Sequence, residues 1–328
     1  MLGICVPTYR TGRVIIKTIF DLEESLTNID CIILIVEDGC PLKSSDYVHS
    51  NSSKIHKLVL KENQGVGRAT IYGFDYLIKK GCTSLIKFDS DGQHISRLIP
   101  DIYHLSEYLQ KQKFSYPFLL KGTRYEAISH GNTPLFRSLG SLLIEPLARG
   151  AINYRNLSDV ANGMICLSSQ SYLLLMQRKK IELEDRFLFE SSLLANVGLL
   201  QFAIYEFCMD RIYHKSILSN MNEFKIIPGM LGLWIKVFLS RIFQDYIKKI
   251  GVGSFFLISS IILFNSSLFH YLLVINKLNS SGLYSSAGTA SLQIFMMISF
   301  VTCISVFFIL DYFRGGKTHK ILTKNFLK

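Results

Sequence analysis

Short apolar runs alternate with amphipathic stretches along the first two thirds of the chain. The runs "LGICV", "CIILIV", "KLVL" and "SLIKF" are each followed by a stretch with helical spacing or by a polar loop. This alternation predicts parallel strands joined by crossover helices, and therefore an α/β fold with a mostly parallel, Rossmann-like sheet and helices on both faces. After residue 121 the pattern loosens into a helix over about 133–150, an apolar patch "GMICLSS", a helix around "DRFLFESSLLANVG" and a short strand "LQFAIYEF".

The C-terminal part of the chain contains two long stretches without charge. Residues 250–276 and residues 278–310 carry no charged side chain. Each stretch exceeds the roughly 20 residues that a helix needs to cross a bilayer. We therefore expect two transmembrane helices, a hairpin over residues 250–313, rather than the buried helices of a soluble core.

Basic residues flank this hairpin at its outer ends. Lys248 and Lys249 precede the first stretch, the link "KLNSSGLYSS" carries only Lys277, and a basic tail over residues 314–328 follows the second. The Lys and Arg bias places both outer flanks in the cytoplasm. The start "MLGICVPTYR" lacks a basic n-region and a long apolar core, so we expect no signal peptide and a cytoplasmic domain over residues 1–225.

A further amphipathic stretch, residues 226–249, leads into the hairpin. Its helical spacing separates an apolar face from a polar one, which suits a juxtamembrane helix lying in the headgroup region with Trp234 as an anchor. An ordinary surface helix packed on the domain is the alternative. The apolar face consists of Leu231, Ile235, Phe238, Ile242 and Tyr246, and the polar face of Lys236, Ser240, Gln244 and Lys248.

Composition narrows the range of partners. The formal net charge is +11, and 49% of the residues are apolar. Such a charge is compatible with nucleic acid, an anionic membrane surface or phosphate-bearing substrates, and the membrane hairpin favours the last two. We therefore expect the lipid bilayer, and no nucleic acid, among the partners. The seven cysteines include no CxxC pair, which is typical of reduced core residues.

Polar clusters stand where the predicted strands end. The run "SLIKF" stops at Asp89, Asp91 and Gln93, which alternate and would point the same way on an extended segment. Three such oxygens suit Mg²⁺ or Mn²⁺ rather than zinc, with substrate phosphates and water completing the site. Ligands of parallel sheets collect at these strand ends. The other clusters are Pro7, Thr8 and Tyr9, then Glu37 and Asp38, then Asn63 and Gly65.

Seven motifs resemble, in order and approximate spacing, those of the family-2 glycosyltransferases with the GT-A fold. They are "ICVPTYR", "ILIVEDGC", "ENQGVGRA", "IKFDSDGQH", "LLKGTRY", "DVANGM" and "IYEFCMDRIYHKSIL". The chain looks most like the polyprenyl-phosphate branch, which includes dolichol-phosphate mannose synthase and the bacterial undecaprenyl-phosphate glucosyltransferases, over roughly residues 2–220. The resemblance implies a hexosyltransferase that moves a sugar from a UDP- or GDP-sugar to a polyprenyl phosphate at a bacterial inner membrane. It leaves the sugar, the nucleotide and a homo-oligomeric state open.

The same resemblance assigns roles to individual residues. Asp89, Asp91 and Gln93 would bind the metal, and Asp91 counts among the catalytic residues. Arg124 and Arg137 would hold the acceptor phosphate and are the other catalytic candidates on this route. Of the remaining positions, Pro7, Thr8, Tyr9, Glu37 and Asp38 would surround the base and ribose, Ser141 would join the arginines, and Arg211 with Ser216 would close over the donor diphosphate.

Three positions depart from the family pattern. The family usually has Asn, Asp and Ser where this chain has Arg10, Glu37 and Cys40. These departures concern the surroundings of the base and leave its identity open. They do not touch the predicted metal site.

The implied chemistry needs no general base. A phosphate monoester has a second pKa of about 6, is largely dianionic at neutral pH and can attack the anomeric carbon directly. The metal offsets charge on the leaving nucleoside diphosphate and the arginines hold the nucleophile in line, so the anomeric centre is inverted.

Two alternatives remain open, and two others are disfavoured. A saccharide hydroxyl as acceptor would need a base, for which Asp185 or Glu184 in "IELEDRF" is the candidate, although both also suit a charged helix N-terminus. A second alternative is a non-catalytic, membrane-anchored nucleotide-binding scaffold. A transporter is disfavoured because the uncharged stretches offer few polar groups, and a processive polymer synthase because no QxxRW motif is present. The polar groups within the stretches are Asn265, His270 and Gln293.

Overall fold

The chain forms one mixed sheet with helices, followed by long apolar helices, in a computed structural model that describes residues 1–92, 94–112, 117–123, 135–160, 162–209 and 223–321. The strands are β1 (Leu2–Thr8), β2 (Cys31–Asp38), β3 (Ile55–Leu60), β4 (Ser84–Lys87), β5 (Phe118–Thr123), β6 (Tyr154–Arg155), β7 (Ile165–Ser168), β8 (Ala203–Cys208) and β9 (Gly316–Ile321). The helices are α1 (Val14–Ser25), α2 (Val66–Lys79), α3 (Ile99–Lys111), α4 (Leu135–Ile152), α5 (Ser169–Arg178), α6 (Phe189–Leu199), α7 (Glu223–Ile242), α8 (Val252–His270), α9 (Asn276–Ser280) and α10 (Ala287–Arg314).

The sheet is mostly parallel. Within the described residues its nine strands follow the order β3-β2-β1-β4-β7-β5-β8-β9-β6. Strand β7 runs antiparallel to both β4 and β5, whereas the other pairs are parallel. Strand β1 lies in register with a neighbour on each side, so Leu2 is opposite Cys31 of β2 and Ser84 of β4. The carboxyl ends of the first four strands therefore meet at one edge, as the sequence predicts.

Helices pack on both faces of this sheet. Ile4 and Val6 of β1 belong to the core that also contains residues of α1 and α3. Cys5 points to the opposite face, where α2 approaches so closely that a Cβ on Gly73 would come within 2.3 Å of the Cys5 sulfur. The alternation of side chains along a strand explains this division, because neighbouring residues point to opposite faces. The predicted α/β class is confirmed.

The last strand differs from the sequence expectation. Residues 314–328 are predicted to be a basic cytoplasmic tail, but Gly316–Ile321 form β9 inside the sheet. Strand β9 pairs in parallel with β8 on one side and with β6 on the other. Its sequence "GKTHKI" has no apolar alternation, so the pattern of hydrophobic positions does not reveal it.

The chain divides into two compact units. One comprises residues 1–237 together with the chain from residue 316, and the other comprises residues 238–315. The second unit contains α8 and α10, which pack on each other. In the described part of the chain, three helical stretches are long and apolar enough to cross a membrane, namely Ile226–Ile247, Val252–Leu278 and Ala287–Arg314. The last two correspond to the predicted hairpin, and membrane association is supported.

Polar side chains in the second unit form hydrogen bonds with one another. The Arg241 guanidinium binds the Asp311 carboxylate with two bonds, Nη1 to Oδ1 at 2.6 Å and Nη2 to Oδ2 at 2.9 Å, and the Tyr246 hydroxyl donates to Asp311 Oδ1 at 2.7 Å. Farther along, His270 Nδ1 lies 2.9 Å from Gln293 Oε1. Buried polar groups that are bonded in this way avoid most of the desolvation cost.

Helix α7 has two apolar faces rather than one. Leu233, Trp234 and Val237 are buried. Because the Trp234 side chain is fully buried, its predicted role as a headgroup anchor is wrong. A second set of apolar side chains at four-residue spacing remains exposed: Leu231, Ile235, Leu239 and, directly after the end of α7, Phe243.

Candidate active site at the strand ends

The loops that follow β1, β2 and β4 are joined by hydrogen bonds into one crevice edge. The Ser90 hydroxyl donates to the Pro7 carbonyl at 2.9 Å and lies 3.0 Å from the Thr11 hydroxyl. The Arg10 N–H donates to Cys40 Sγ at 3.1 Å. The three polar clusters that the sequence places at these strand ends are therefore neighbours in space.

The residues after β1 differ in exposure. Thr8 is buried, and its hydroxyl donates to the Val6 carbonyl at 3.1 Å. The Tyr9 ring is exposed, with the Arg10 guanidinium 5.2 Å from its centroid. An exposed ring beside a cation offers a surface on which a planar group can stack.

The acidic pair Glu37 and Asp38, the last two residues of β2, is buried and accepts hydrogen bonds from the backbone. Glu37 Oε2 accepts the Ser45 N–H at 2.7 Å. Both oxygens of Asp38 are engaged, since Oδ1 accepts the Gln64 N–H and Oδ2 the Gly65 N–H, each at 2.7 Å. These bonds fix the loops that follow β2 and β3.

The glycine-rich loop "NQGVG" is held by two residues outside it, Asp38 and Asp185. Asp38 accepts two of its N–H groups, and the Gly67 N–H donates to the Asp185 carbonyl at 2.8 Å. Gly65 has a φ of +97°, and a Cβ there would come within 2.3 Å of the same carbonyl. Glycine is required here by both conformation and space. The bonds that these N–H groups make stabilise the start of α2 and link it to the segment that contains Asp185.

The end of β4 contains a buried lysine that the sequence argument overlooked. Lys87 has a 1% exposed side chain, and its ammonium contacts Asp89 Oδ1 at 2.5 Å, Glu190 Oε1 at 3.0 Å and the Gly163 carbonyl at 3.2 Å. Burial disfavours the charged form, but the two carboxylates outweigh burial and raise the Lys87 pKa. Lys87 therefore stays protonated and holds one oxygen of Asp89. A lysine inside an apolar strand beside two aspartates was the available signal.

Asp89 remains accessible although it is held on two sides. Its side chain is 31% exposed. His94 Nδ1 accepts the Asp89 backbone N–H at 3.2 Å, which assigns the proton of a neutral ring to Nε2, and Nε2 lies 3.4 Å from Asp89 Oδ2. Gly163 leaves room for this arrangement, because a Cβ there would come within 2.5 Å of Asp89 Oδ2. The carboxylate is therefore preoriented at the crevice.

The described donor set suits a divalent cation that a substrate helps to hold. Asp89 and Asp91, both partly exposed, would offer hard oxygen ligands from one short loop. Among the described residues, no group of three or more His, Cys, Asp and Glu side chains forms a complete cage. Two carboxylates with room for phosphate and water are the arrangement that Mg²⁺ and Mn²⁺ accept.

Asp185 lies against the glycine-rich loop, next to Gly65 and Gly67. Its Oδ1 accepts from Arg68 Nε at 2.7 Å, and both side chains are about half exposed. Five residues later, Glu190 at the start of α6 reaches Lys87. The segment 184–190 thus connects the start of α2 with the end of β4.

A second buried lysine lies at the end of the neighbouring half of the sheet. Lys121 of β5 donates to the Ser158 carbonyl at 2.6 Å and lies 3.6 Å from Glu206 Oε1. Glu206 accepts both the N–H and the hydroxyl of Ser158, each at 2.8 Å. The loop after β6 is therefore fixed by side chains of β5 and β8.

Several predicted site residues lie outside the described part of the chain. These are Gln93, Arg124, Arg211 and Ser216, together with the side chains of Arg137 and Ser141 in α4. Their assignments remain predictions.

Comparison with known proteins gives one partial sequence relative and a group of structural relatives. No protein-family model matches the chain. The undecaprenyl-phosphate mannosyltransferase of Micrococcus luteus is 26% identical over 98 residues, which is 29% of this chain and 40% of that protein. The chain thus spans less than half the length of the curated relative it matches.

The structural relatives include crystal structures of glucosyl-3-phosphoglycerate synthase from Mycobacterium tuberculosis. The complex with Mn²⁺, UDP and phosphoglyceric acid has a TM-score of 0.50 and 14% identity and covers 74% of this chain and 78% of that one. The complex with UDP has a TM-score of 0.50 and 15% identity, with 74% and 79% covered. At this level of identity the likeness shows the fold, which is GT-A. The predicted fold is confirmed by these structures. The resemblance to polyprenyl-phosphate glycosyltransferases is confirmed by the partial match to the Micrococcus luteus protein together with this fold.

Proposed function

We propose that the protein is a membrane-anchored, inverting glycosyltransferase that moves a sugar from a nucleotide-sugar donor to a polyprenyl phosphate. The observation that carries the proposal is the Asp89 carboxylate, which Lys87 holds at the end of β4 while 31% of the side chain stays exposed. In a GT-A sheet this is the position where a diphosphate would meet a divalent cation. Both the fold and the relatives are those of glycosyltransferases.

The donor would lie across the ends of β1, β2 and β4. Asp89, Asp91 and Gln93 would hold Mg²⁺ or Mn²⁺, which would offset negative charge on the leaving diphosphate. A crystal structure with the same fold contains Mn²⁺ and UDP, which supports this combination and a UDP-sugar donor. Around the base and ribose we place Pro7, Thr8, Tyr9, Glu37 and Asp38, with Arg211 and Ser216 over the diphosphate.

The buried acids after β2 would act mainly through the loops they hold. Glu37 and Asp38 are 4% and 3% exposed, and three of their oxygens accept backbone N–H groups. Their contribution to nucleotide binding would therefore be to shape the wall beside Tyr9. A planar base could stack on that exposed ring.

The acceptor phosphate would be held by Arg124, Arg137 and Ser141. Guanidinium groups bind phosphate through paired, charge-assisted hydrogen bonds. They would set the nucleophilic oxygen in line with the anomeric carbon, and no proton needs to be removed from a dianionic phosphate. The name of the Micrococcus luteus relative supports a polyprenyl phosphate as acceptor.

The membrane arrangement that we propose has two spans, α8 and α10, with the catalytic domain in the cytoplasm of a bacterial cell. Strand β9 supports an even number of crossings, since residues on both sides of the hairpin belong to one sheet. The exposed apolar stripe of α7 supports a helix that lies on the leaflet instead of crossing it. The basic flanks support the cytoplasmic side.

A transfer assay tests the proposal. Membranes that contain the protein are incubated with radiolabelled UDP- and GDP-sugars and polyprenyl phosphate, and the expected product is chloroform-soluble and labile to mild acid. Asp91→Ala should abolish its formation, whereas Asp30→Ala, an exposed acid at the other end of β2, should leave it unchanged. Unchanged transfer by Asp91→Ala would refute the metal role.

The same assay separates the two acceptor classes. Label in a saccharide would identify a hydroxyl acceptor, for which Asp185 would serve as the base. Its Oδ1 accepts from Arg68 Nε at 2.7 Å, and about half of the side chain is exposed, so an acceptor could reach it. No transfer with any donor, together with retained UDP binding, would identify the non-catalytic scaffold.

A further inference from the structure

Strand β9 reaches the catalytic sheet only after the chain has passed through the apolar hairpin. It begins two residues beyond the end of α10, and its residues 318–321 pair with β8 while residues 316 and 317 pair with β6. Strand β6 lies at the end of the sheet order, so β9 is its strand partner in the described sheet.

The contact between β9 and β6 is close and specific. The Gly316 N–H donates to the Asn153 carbonyl at 2.9 Å, and the Thr318 hydroxyl donates to the Arg155 carbonyl at 3.0 Å. The Tyr154 ring covers Gly316, since a Cβ on that glycine would come within 2.8 Å of a ring carbon. A short strand of two residues needs such a partner, because it forms few bonds of its own.

Strand β6 leads directly into the loop 156–163, which is described except for residue 161. Asn153, Asn156 and Asp159 have φ values of +55°, +63° and +46°. Asn and Asp adopt such angles more readily than other residues with a side chain, and each angle turns the chain sharply. The hydrogen bonds of the loop hold these turns in one arrangement.

The far end of this loop forms one wall of the candidate metal site. The Gly163 carbonyl accepts from the Lys87 ammonium at 3.2 Å, and the same ammonium holds Asp89. A Cβ at position 163 would come within 2.5 Å of Asp89 Oδ2 and 3.0 Å of Lys87 Nζ. A shift of the loop would therefore displace the carboxylate or its ammonium partner.

The middle of the loop is tied to the same part of the sheet. Ser158 binds Glu206 of β8, and Glu206 stands opposite Lys320 in the register of β8 and β9. Arg149 of α4 also donates to the Leu157 carbonyl. The loop has several supports, and β9 holds its beginning directly and its middle through β8.

We propose that β9 is a positioning element of the active site: it holds β6 and the loop 156–163, and that loop keeps Lys87 and Asp89 in place. The proposal rests on the proposed function for what Asp89 binds, but not for the coupling itself. The consequence is that the site is completed only when the chain beyond α10 has returned to the sheet. Insertion of the hairpin and assembly of the donor site would then be linked.

Hydrogen exchange on the full-length protein in lipid nanodiscs tests the coupling without any ligand. Thr318→Pro removes an N–H and the hydroxyl from the middle of β9, and Gly316→Val forces a side chain against Tyr154. His319→Phe, which keeps the strand, the Thr318 hydroxyl and an aromatic ring against Tyr205, is the matched control. We expect exchange at residues 153–163 to rise at least tenfold in the first two variants, with β1 and β2 unchanged.

A second measurement on the same variants tests the candidate metal site directly. Mn²⁺ binding in the presence of UDP, followed by electron paramagnetic resonance, should weaken about tenfold in Thr318→Pro and Gly316→Val and stay near wild type in His319→Phe. Unchanged exchange at 153–163, or increased exchange that extends through β1 and β2, would overturn the proposal. If the wild-type protein bound neither Mn²⁺ nor UDP, the proposed function would fail while the exchange data still decided the coupling.

Discussion

Two pairs of acids stand at the ends of β2 and β4, the strands on either side of β1, and their surroundings differ. Glu37 and Asp38 after β2 are 4% and 3% exposed and accept backbone N–H groups. Asp89 after β4 is held by an ammonium group and a histidine ring, and its side chain is 31% exposed. Asp91, its partner in the pair, is partly exposed as well.

The difference separates two uses of a carboxylate. A buried carboxylate that accepts several backbone N–H groups fixes a loop and has little capacity left for a ligand. A carboxylate held by side chains at a crevice is oriented without being enclosed, which is what a ligand of a metal ion requires. The pair after β2 should therefore matter first for stability, and the pair after β4 first for chemistry.

The largest effect is expected from Asp89→Asn. This change removes a negative charge from the proposed metal site, while Lys87 keeps Glu190 as its ionic partner. We expect sugar transfer to fall by about 100-fold or more, because charge stabilisation of the leaving diphosphate is lost. The thermal unfolding midpoint should stay close to that of the wild type. Transfer at the wild-type rate would remove Asp89 from the site.

Asp38→Asn should show the reverse pattern. The amide can accept only one of the two N–H groups that Asp38 binds, and its own NH₂ would face the other. We expect the free energy of unfolding to fall by about 2 kcal/mol, since a buried charge-assisted hydrogen bond is lost. Mn²⁺ affinity of the folded variant should be unchanged. Wild-type stability combined with lost UDP binding would instead assign Asp38 to the nucleotide.

The sequence predicts the first half of the fold well and the last strand not at all. Strands β1, β2 and β4 are continuous apolar runs with turn residues behind them, and such runs are typical of strands buried on both faces. Strand β9, in contrast, is polar and follows an apolar helix. It becomes a strand because β8 and β6 offer it two partners, which is a tertiary effect that local pattern does not contain.

The candidate site is predicted in part for the same reason. Spacing alone places Asp89 and Asp91 at a strand end. It cannot show that both oxygens of Asp38 accept hydrogen bonds from backbone N–H groups. Nor does it show that Lys87 joins Glu190 to Asp89 across 101 residues of chain. Trp234 illustrates the same limit, since an aromatic residue on a helix suits either a headgroup layer or a core, and the structure buries it.

The smallest expected effect is on the reactivity of the Cys40 thiol. It tests whether a nucleotide lies beside Glu37 and Asp38 at the end of β2. Burial tends to raise the Cys40 pKa, but hydrogen bonds from Ser44 and from the backbone N–H groups of Arg10, Leu42 and Ser44 outweigh it and lower the pKa below that of an ordinary thiol. Burial raises the pKa of Cys82 to about 11 and of Cys166 to about 12. Since the thiolate is the reactive form, Cys40 should be alkylated at a lower pH than the other two.

Peptide mapping after brief exposure to iodoacetamide would measure this order. Near neutral pH we expect label at Cys40 several-fold ahead of Cys82 and Cys166, and a rate at Cys40 that falls as the pH drops below its lowered pKa. Added Mn²⁺ and UDP should slow Cys40 and leave the slow reference thiols unaffected, because the base would lie against the loop that contains Cys40, Glu37 and Asp38. A Cys40 rate that does not change with UDP would confine this acidic pair to the structural role that its hydrogen bonds already define.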